Sequence, residues 1–198
     1  SPMSDIRWAW AEVDLGAIAH NVRVLREHVA PAAVWAVVKA DGYGHGAFEV
    51  ARAAIGAGAE GLCVALVQEG IELRRAGIDA PILVLTEQPV EAAPHIVEHR
   101  LTPTVYRRHF LDALVEERPV GLPVHLMVDT GINRLGVRTS ELDHSVIQSL
   151  DIDILMSHLA SADEDVPQNS EQLALFKGIA AKLAAKRYSL ANSAGIML

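Results

Sequence analysis

Apolar residues in this sequence fall into short unbroken runs, and the stretches between the runs repeat apolar positions at helical spacing. The runs are Val34–Lys39 (VWAVVK), Leu62–Val67 (LCVALV), Ile82–Thr86 (ILVLT), Thr102–Tyr106 (TPTVY), Val124–Asp129 (VHLMVD), Ile152–His158 (IDILMSH) and Tyr188–Asn192 (YSLAN). Most are apolar throughout instead of alternating. That is the pattern of strands covered on both faces, as in a parallel sheet clad by helices. Pro103 counts against the fourth run, because proline cannot donate to a ladder. Between the runs, Ile18, Val22, Leu25 and Val29 recur at i, i+4, i+7 and i+11. Leu173, Phe176, Ile179 and Leu183 form a second stripe, with Ser170 as its expected N-cap. Val50, Ala53 and Ala54, stopped by Gly56 and Gly58, outline another helix; Gly70–Ala76, closed by Gly77, and Phe110–Val115 outline two shorter ones. Pro89–Pro94 and Pro119–Pro123 read as loops.

Strand and helix thus alternate about seven times, which leaves a doubly wound sheet or a (β/α)8 barrel. No G-x-G-x-x-G fingerprint is present, and the candidate chemistry follows several different strands. The expected fold is therefore α/β, a (β/α)8 TIM-type barrel. Such a barrel needs eight strands and ~250 residues. With 198 residues, the chain is expected to hold the barrel only as far as its seventh strand. The expected organisation is an extension over 1–13, with Trp8–Val13 (WAWAEV) as a strand outside the barrel, followed by the barrel portion over 14–198.

Composition narrows the function classes. The chain is 51% hydrophobic and 21% charged, which excludes a disordered chain. Its 17 Lys+Arg against 25 Asp+Glu give a net charge of −8. That argues against nucleic-acid or anionic-membrane partners, which both require a basic surface. The single cysteine, Cys63, excludes an internal disulfide framework and suits a reducing compartment. No apolar run approaches the ~20 residues of a membrane span, and the N-terminus does not read as a signal peptide. A cytoplasmic protein is expected.

In a βα-barrel, chemistry gathers at the C-terminal ends of the strands. Lys39 ends a very apolar run, where an ammonium is costly to bury. A desolvated lysine can form a Schiff base with a carbonyl; the same lysine can also snorkel or pair with Asp41, and spacing alone does not separate these readings. Gly42, Gly44 and Gly46 permit unusual dihedrals and, with Tyr43, suit a loop shaped around a ligand. Asn192-Ser193-Ala194-Gly195 follows a strand and could hold an anion on backbone N–H groups, or simply cap a helix. Arg134 lies five residues past Asp129, within range of a carboxylate or phenolate, though such a pair is more often structural. His158 ends a strand as an acid/base, a ligand, or merely a satisfied histidine. The remaining histidines, His125 among them, show no metal-ligand spacing, and no metal is expected.

Ala36–Gly46, AVVKADGYGHG, closely resembles the pyridoxal-phosphate attachment motif of the alanine racemases. The resemblance continues in register through AEVDLGAIAHNVRVLR at 11–26, VDTGINRLGV at 128–137, SHLASADE at 157–164 and ANSAG at 191–195. It implies a cofactor, pyridoxal 5'-phosphate, held by Lys39, which then serves as the acid/base for the D-alanine side. It implies that Tyr43 and Ser193 bind the cofactor phosphate, with Asn192 nearby, and that Arg134 contacts the phenolic oxygen and the substrate carboxylate. It implies that His158 hydrogen-bonds an arginine facing the pyridine nitrogen. The substrate would be alanine and the full-length protein a homodimer. Two departures stand out. Met127 occupies a position where many family members carry a lysine, often carbamylated, that braces the arginine. The eighth strand and the C-terminal β domain, which carries the second base, have no counterpart among these residues. Weak or absent racemisation by this chain alone is the expectation. Other readings are a non-catalytic pyridoxal-phosphate-binding barrel of cofactor homeostasis, a related decarboxylase of basic amino acids, and a metal-dependent hydrolase using His158, Asp163 and Glu164 with a carbamylated Lys39.

Overall fold

The computed structural model describes residues 12–117, 121–131, 136, 151–161, 166–183 and 185–190. Seven strands, β1 (Trp35–Val37), β2 (Gly61–Val64), β3 (Ile82–Val84), β4 (Thr102–Val105), β5 (Val124–Met127), β6 (Ile152–Met156) and β7 (Arg187–Ser189), lie side by side in sequence order. Every neighbouring pair is parallel. An order that never reverses is that of a barrel wall, and it excludes the doubly wound alternative, whose order turns back at a switch point. Between the strands run helices α1 (Leu15–Val29), α2 (Ala47–Gly56), α3 (Val67–Arg75), α4 (Ala93–Glu98), α5 (Arg108–Glu116) and α6 (Pro167–Ala180).

The unbroken apolar runs have the cause inferred for them: both faces of the sheet are covered. Leu62, Val64, Ile82, Val84, Val124, Leu126 and Leu155 pack outward in one core with α3 to α6. Their neighbours Cys63, Leu83 and Ile154 form a second cluster on the opposite, inner face with Trp35, Leu85 and Met156. A cavity of about 890 Å³, lined in part by Trp35, Val37, Leu83, His125, Ile154 and Met156, fills the concave side. β1 and β7 are the edges of the described sheet. They are linked at one end by Arg187, whose guanidinium lies 3.0 Å from Asp153, 3.7 Å from Glu60 and 5.1 Å from the centre of the Trp35 ring. The wall is therefore curled, a barrel reaching its seventh strand.

Several expected boundaries move. Pro103 lies inside β4 after all, with two register pairs to the strand on either side. The ladder tolerates it because only one N–H is lost. Pro94 stands in the first turn of α4, where its missing N–H costs nothing, so 89–94 is a short 3-10 turn (Val90–Ala92) and a helix start instead of a loop. α6 begins at Pro167 with Val166 as its N-cap, and Ser170 is inside the helix. Its buried stripe is Gln172, Phe176 and Ile179, while Leu173 is exposed. Tyr188–Asn192 shifts to Arg187–Ser189. Trp8 through Ala11 lie outside the described residues, and no helix of the described chain is long and apolar enough to cross a membrane.

Candidate functional site

Because all seven strands are parallel, their C-terminal ends share one rim. Lys39, Tyr43 and His158 stand there, following β1 and β6. Arg134, Asn192 and Ser193, together with Asp163 and Glu164, lie outside the described residues.

Lys39 opens an unusual turn, Lys39–Gly44. Ala40, Asp41, Gly42 and Tyr43 all have left-handed dihedrals, with φ of 51, 53, 62 and 58°. For a non-glycine residue this conformation costs about 1–2 kcal/mol, because Cβ crowds the following carbonyl. Three such residues within a run of four are a concentrated cost, of the kind that persists where surroundings over-determine the backbone. The glycines do what the sequence suggested, at φ of 62, 80 and 88° for Gly42, Gly44 and Gly46. The left-handed Ala40, Asp41 and Tyr43 were not foreseeable from residue type. A Cβ on the buried Gly42 would stand 3.3 Å from both Ala47 Cα and Val50 Cγ2, so α2 packs directly on the turn.

The turn removes one alternative for Lys39, pairing with Asp41. Asp41 does not pair with it; its Oδ1 accepts the N–H of Ala47 at 2.8 Å and so caps α2. Lys39 is half-buried, and among the described residues nothing pairs with its amine. Tyr43 is 59% exposed, its phenol presented to the rim.

His158 lies two residues beyond β6, and partial burial lowers its pKa even though the residue is exposed on the rim. Its backbone is held by a residue the sequence reading missed. Gln172, buried on α6, accepts the Ala160 N–H at 2.8 Å and donates to the His158 carbonyl at 3.0 Å and to Thr130 Oγ1 at 3.3 Å. Thr130 and Ser157 hydroxyls meet at 2.7 Å. One amide therefore ties together the loops that follow β5 and β6. A glutamine in an otherwise apolar helical stripe was the available signal, since a buried amide must find partners.

Met127, the last residue of β5, is buried and paired in register with Met156. The same strand carries His125, fully buried on the inner face. Thr104 Oγ1 spends its one proton on the Val84 carbonyl, so at 3.3 Å it can only accept from His125 Nδ1. Nε2 is then a bare acceptor, without a partner among the described residues. Burial, and secondarily the neighbouring His158, lower the pKa of His125 to about 3. The unfolded chain takes up this proton near pH 6.5 and the folded chain does not. Stability is therefore fully present above pH 6.5 and falls as pH drops from there towards 3, by on the order of a few kcal/mol. Urea midpoints measured across that range should fall less steeply in His125→Leu; coincident slopes would show that another group is responsible. Burial also pushes the Cys63 thiol up to about 12, so it is no nucleophile at neutral pH. Among the described residues, no three His, Cys, Asp or Glu side chains are placed to hold a metal.

Comparison with known proteins adds a second line of evidence. The family model described as alanine racemase, N-terminal domain, matches residues 13–198. Alanine racemase 1 of Oceanobacillus iheyensis is 39% identical over 95% of this chain and 53% of its own length. Alanine racemase of Synechocystis is 43% identical over 96% and 55%. Among solved structures, alanine racemase from Bartonella henselae with covalently bound pyridoxal phosphate superposes with a TM-score of 0.85 at 32% identity, covering 94% of this chain and 57% of that one. The chain thus spans about half the length of the curated relatives it matches.

Proposed function

Because this chain belongs to the alanine racemase family, as its N-terminal domain, we propose that it forms the cofactor-binding barrel of an enzyme that interconverts L- and D-alanine. The observation that carries this reading is Lys39, an amine without a partner among the described residues, standing on a strained left-handed turn at the catalytic rim of a barrel. The residue types suit pyridoxal phosphate. A primary amine meets its aldehyde, the phenol of Tyr43 and the hydroxyl of Ser193 meet its phosphate with Asn192 beside them, and the guanidinium of Arg134 meets its phenolic oxygen. Bound pyridoxal phosphate supplies an electron sink for the electron pair left on Cα when a proton departs. Lys39 would hold it, and its Nζ would accept or return a proton on one face of Cα. Arg134 orients the substrate carboxylate. His158 hydrogen-bonds an arginine of the family's eighth strand. Met127 cannot form a carbamate, so Arg134 takes its support elsewhere. We infer a cytoplasmic protein, dimeric in its full-length form.

Racemisation needs a second proton-transfer group on the opposite face, and the family places it in the C-terminal domain. The 198 residues by themselves are therefore expected to racemise alanine slowly or not at all. The deciding experiment is an absorption spectrum with added pyridoxal phosphate, followed by borohydride reduction and peptide mapping. The expected result is a reducible band and label on Lys39. Label on another residue overturns the reading. Stable labelling of Lys39 in the full-length protein without turnover of any amino acid would favour a cofactor-carrying barrel.

A further inference from the structure

We propose that Glu69 is a positioning residue for Lys39, holding the left-handed turn from which the lysine projects; this rests on the reading of Lys39 as the cofactor-bearing amine. Glu69 belongs to the next βα unit. Its Oε2 accepts the N–H groups of Ala65 and Leu66, at 2.8 and 2.9 Å, and so caps the start of α3. Capping alone would leave Oε1 to solvent. Instead Oε1 crosses to the neighbouring loop and accepts the N–H of Ala40 at 2.6 Å. Ala40 is the residue immediately after Lys39 and the first of the left-handed run, at φ 51° and ψ 52°.

The other bonds of the turn are internal to its own segment: Gly42 N–H to the Val38 carbonyl, Gly46 N–H to the Asp41 carbonyl, and Asp41 to Ala47. They fix the shape of the turn, and the Val38 N–H given to the Cys63 carbonyl ties its start to β2, but among the described residues none of these bonds reaches α3. α2 packs against one side of the turn, while between the turn and α3 lies a cavity of about 230 Å³, lined by Val38, Asp41, Phe48, Glu69 and Leu73 among others. The carboxylate is therefore the anchor that joins a strained backbone to the rigid start of α3. An ionised acceptor suits this work, since its hydrogen bonds are roughly twice as strong as neutral ones. A carboxylate with three N–H donors is also fully acceptor-matched, whereas an amide would turn an NH2 towards one of them.

The test uses Glu69→Gln, Ala40→Gly and their combination in the full chain, with two readouts. Without cofactor, hydrogen exchange at the Ala40 amide is expected to quicken by about tenfold or more in E69Q, as the held N–H is released. With pyridoxal phosphate and borohydride, the concentration giving half-maximal labelling of Lys39 is expected to rise by about tenfold in E69Q. Glycine adopts the left-handed conformation without steric cost. A40G alone should therefore label like the parent, and A40G should recover most of the lost labelling in the E69Q background. A carboxylate that merely caps α3 would lower thermal stability in E69Q, leave labelling unchanged and gain nothing from A40G; that result overturns the proposal. Labelling at Lys39 that ignores E69Q removes Glu69 from the site while leaving the cofactor reading intact. Labelling of the parent at a residue other than Lys39 overturns both.

Discussion

Replacing Lys39 with alanine is expected to abolish reducible attachment of pyridoxal phosphate and to lower alanine racemisation by the full-length protein by ~10³-fold or more, about 4 kcal/mol of transition-state stabilisation. The size of the effect follows from two duties resting on one amine. In the proposed role Nζ would both form the covalent link to the cofactor and move a proton at Cα, so its removal would take away a nucleophile and an acid/base together. The fold should not suffer. Nothing among the described residues pairs with Lys39, and Lys39 is only half-buried, so the melting temperature of the variant should stay near that of the parent. Lys39→Arg makes the comparison sharper: it keeps the positive charge and most of the aliphatic stem but offers no amine that can be deprotonated near neutral pH. Both variants should be equally unlabelled by borohydride. Reducible cofactor retained at parental levels in either would remove Lys39 from the chemistry.

The largest expected effect on stability lies at a glycine. Gly136 has φ +119°, and a Cβ there would stand 2.7 Å from both Asp129 N and Val128 C. Those atoms are backbone at the end of the central strand β5 and cannot swing aside as a side chain would. Gly136→Ala should therefore cost about 2–5 kcal/mol, combining an unfavourable φ with overpacking. That corresponds to a fall in melting temperature of roughly 5–15 °C for a chain of this size. Arg134 lies two residues earlier in the sequence, so cofactor affinity should fall along with stability. Gly178 is the matched control. It sits on the exposed side of α6, and a Cβ there would meet nothing within 4 Å. Gly178→Ala should stabilise, by up to ~1 kcal/mol, through helix propensity alone. Equal melting temperatures for the two variants would contradict the packing described for Gly136.

Much of the barrel is legible in the sequence because two-sided burial leaves a strong mark. Leu62–Val64 and Ile82–Val84 read as strands since residues facing the helices and residues facing the interior must both be apolar; the expected runs overshoot, because Leu66 is exposed and Val67 already opens α3. Helix stripes are legible for the same reason, though α6 shows the limit: Leu173 and Gln172 occupy adjacent positions, and hydrophobicity alone selects the wrong one. The partner that makes Gln172 worth burying comes from the ends of β5 and β6, which no local pattern reveals. His125 was passed over in the same way. Its environment, an interior with an unpaired Nε2, arises only when β4, β5 and β6 come together. The run AVVKADGYGHG marks the place of the lysine, but its backbone conformation at Ala40, Asp41 and Tyr43 opposes the intrinsic preference of those residues, and the turn is anchored through Ala40 by Glu69 from another unit.

The alternation of strand and helix, the rim on which Lys39, Tyr43 and His158 stand, and the family can all be read along the chain. These depend on local periodicity and on motifs contiguous along the chain. Folding in three dimensions was needed to reveal which way the sheet is ordered, that Asp41 serves α2 while Lys39 goes without a described partner, and that Glu69 and Gln172 hold the loops of the rim. Each of these is a contact between segments far apart in sequence. Its energy comes from satisfying buried or strained backbone groups that a reading along one dimension cannot see.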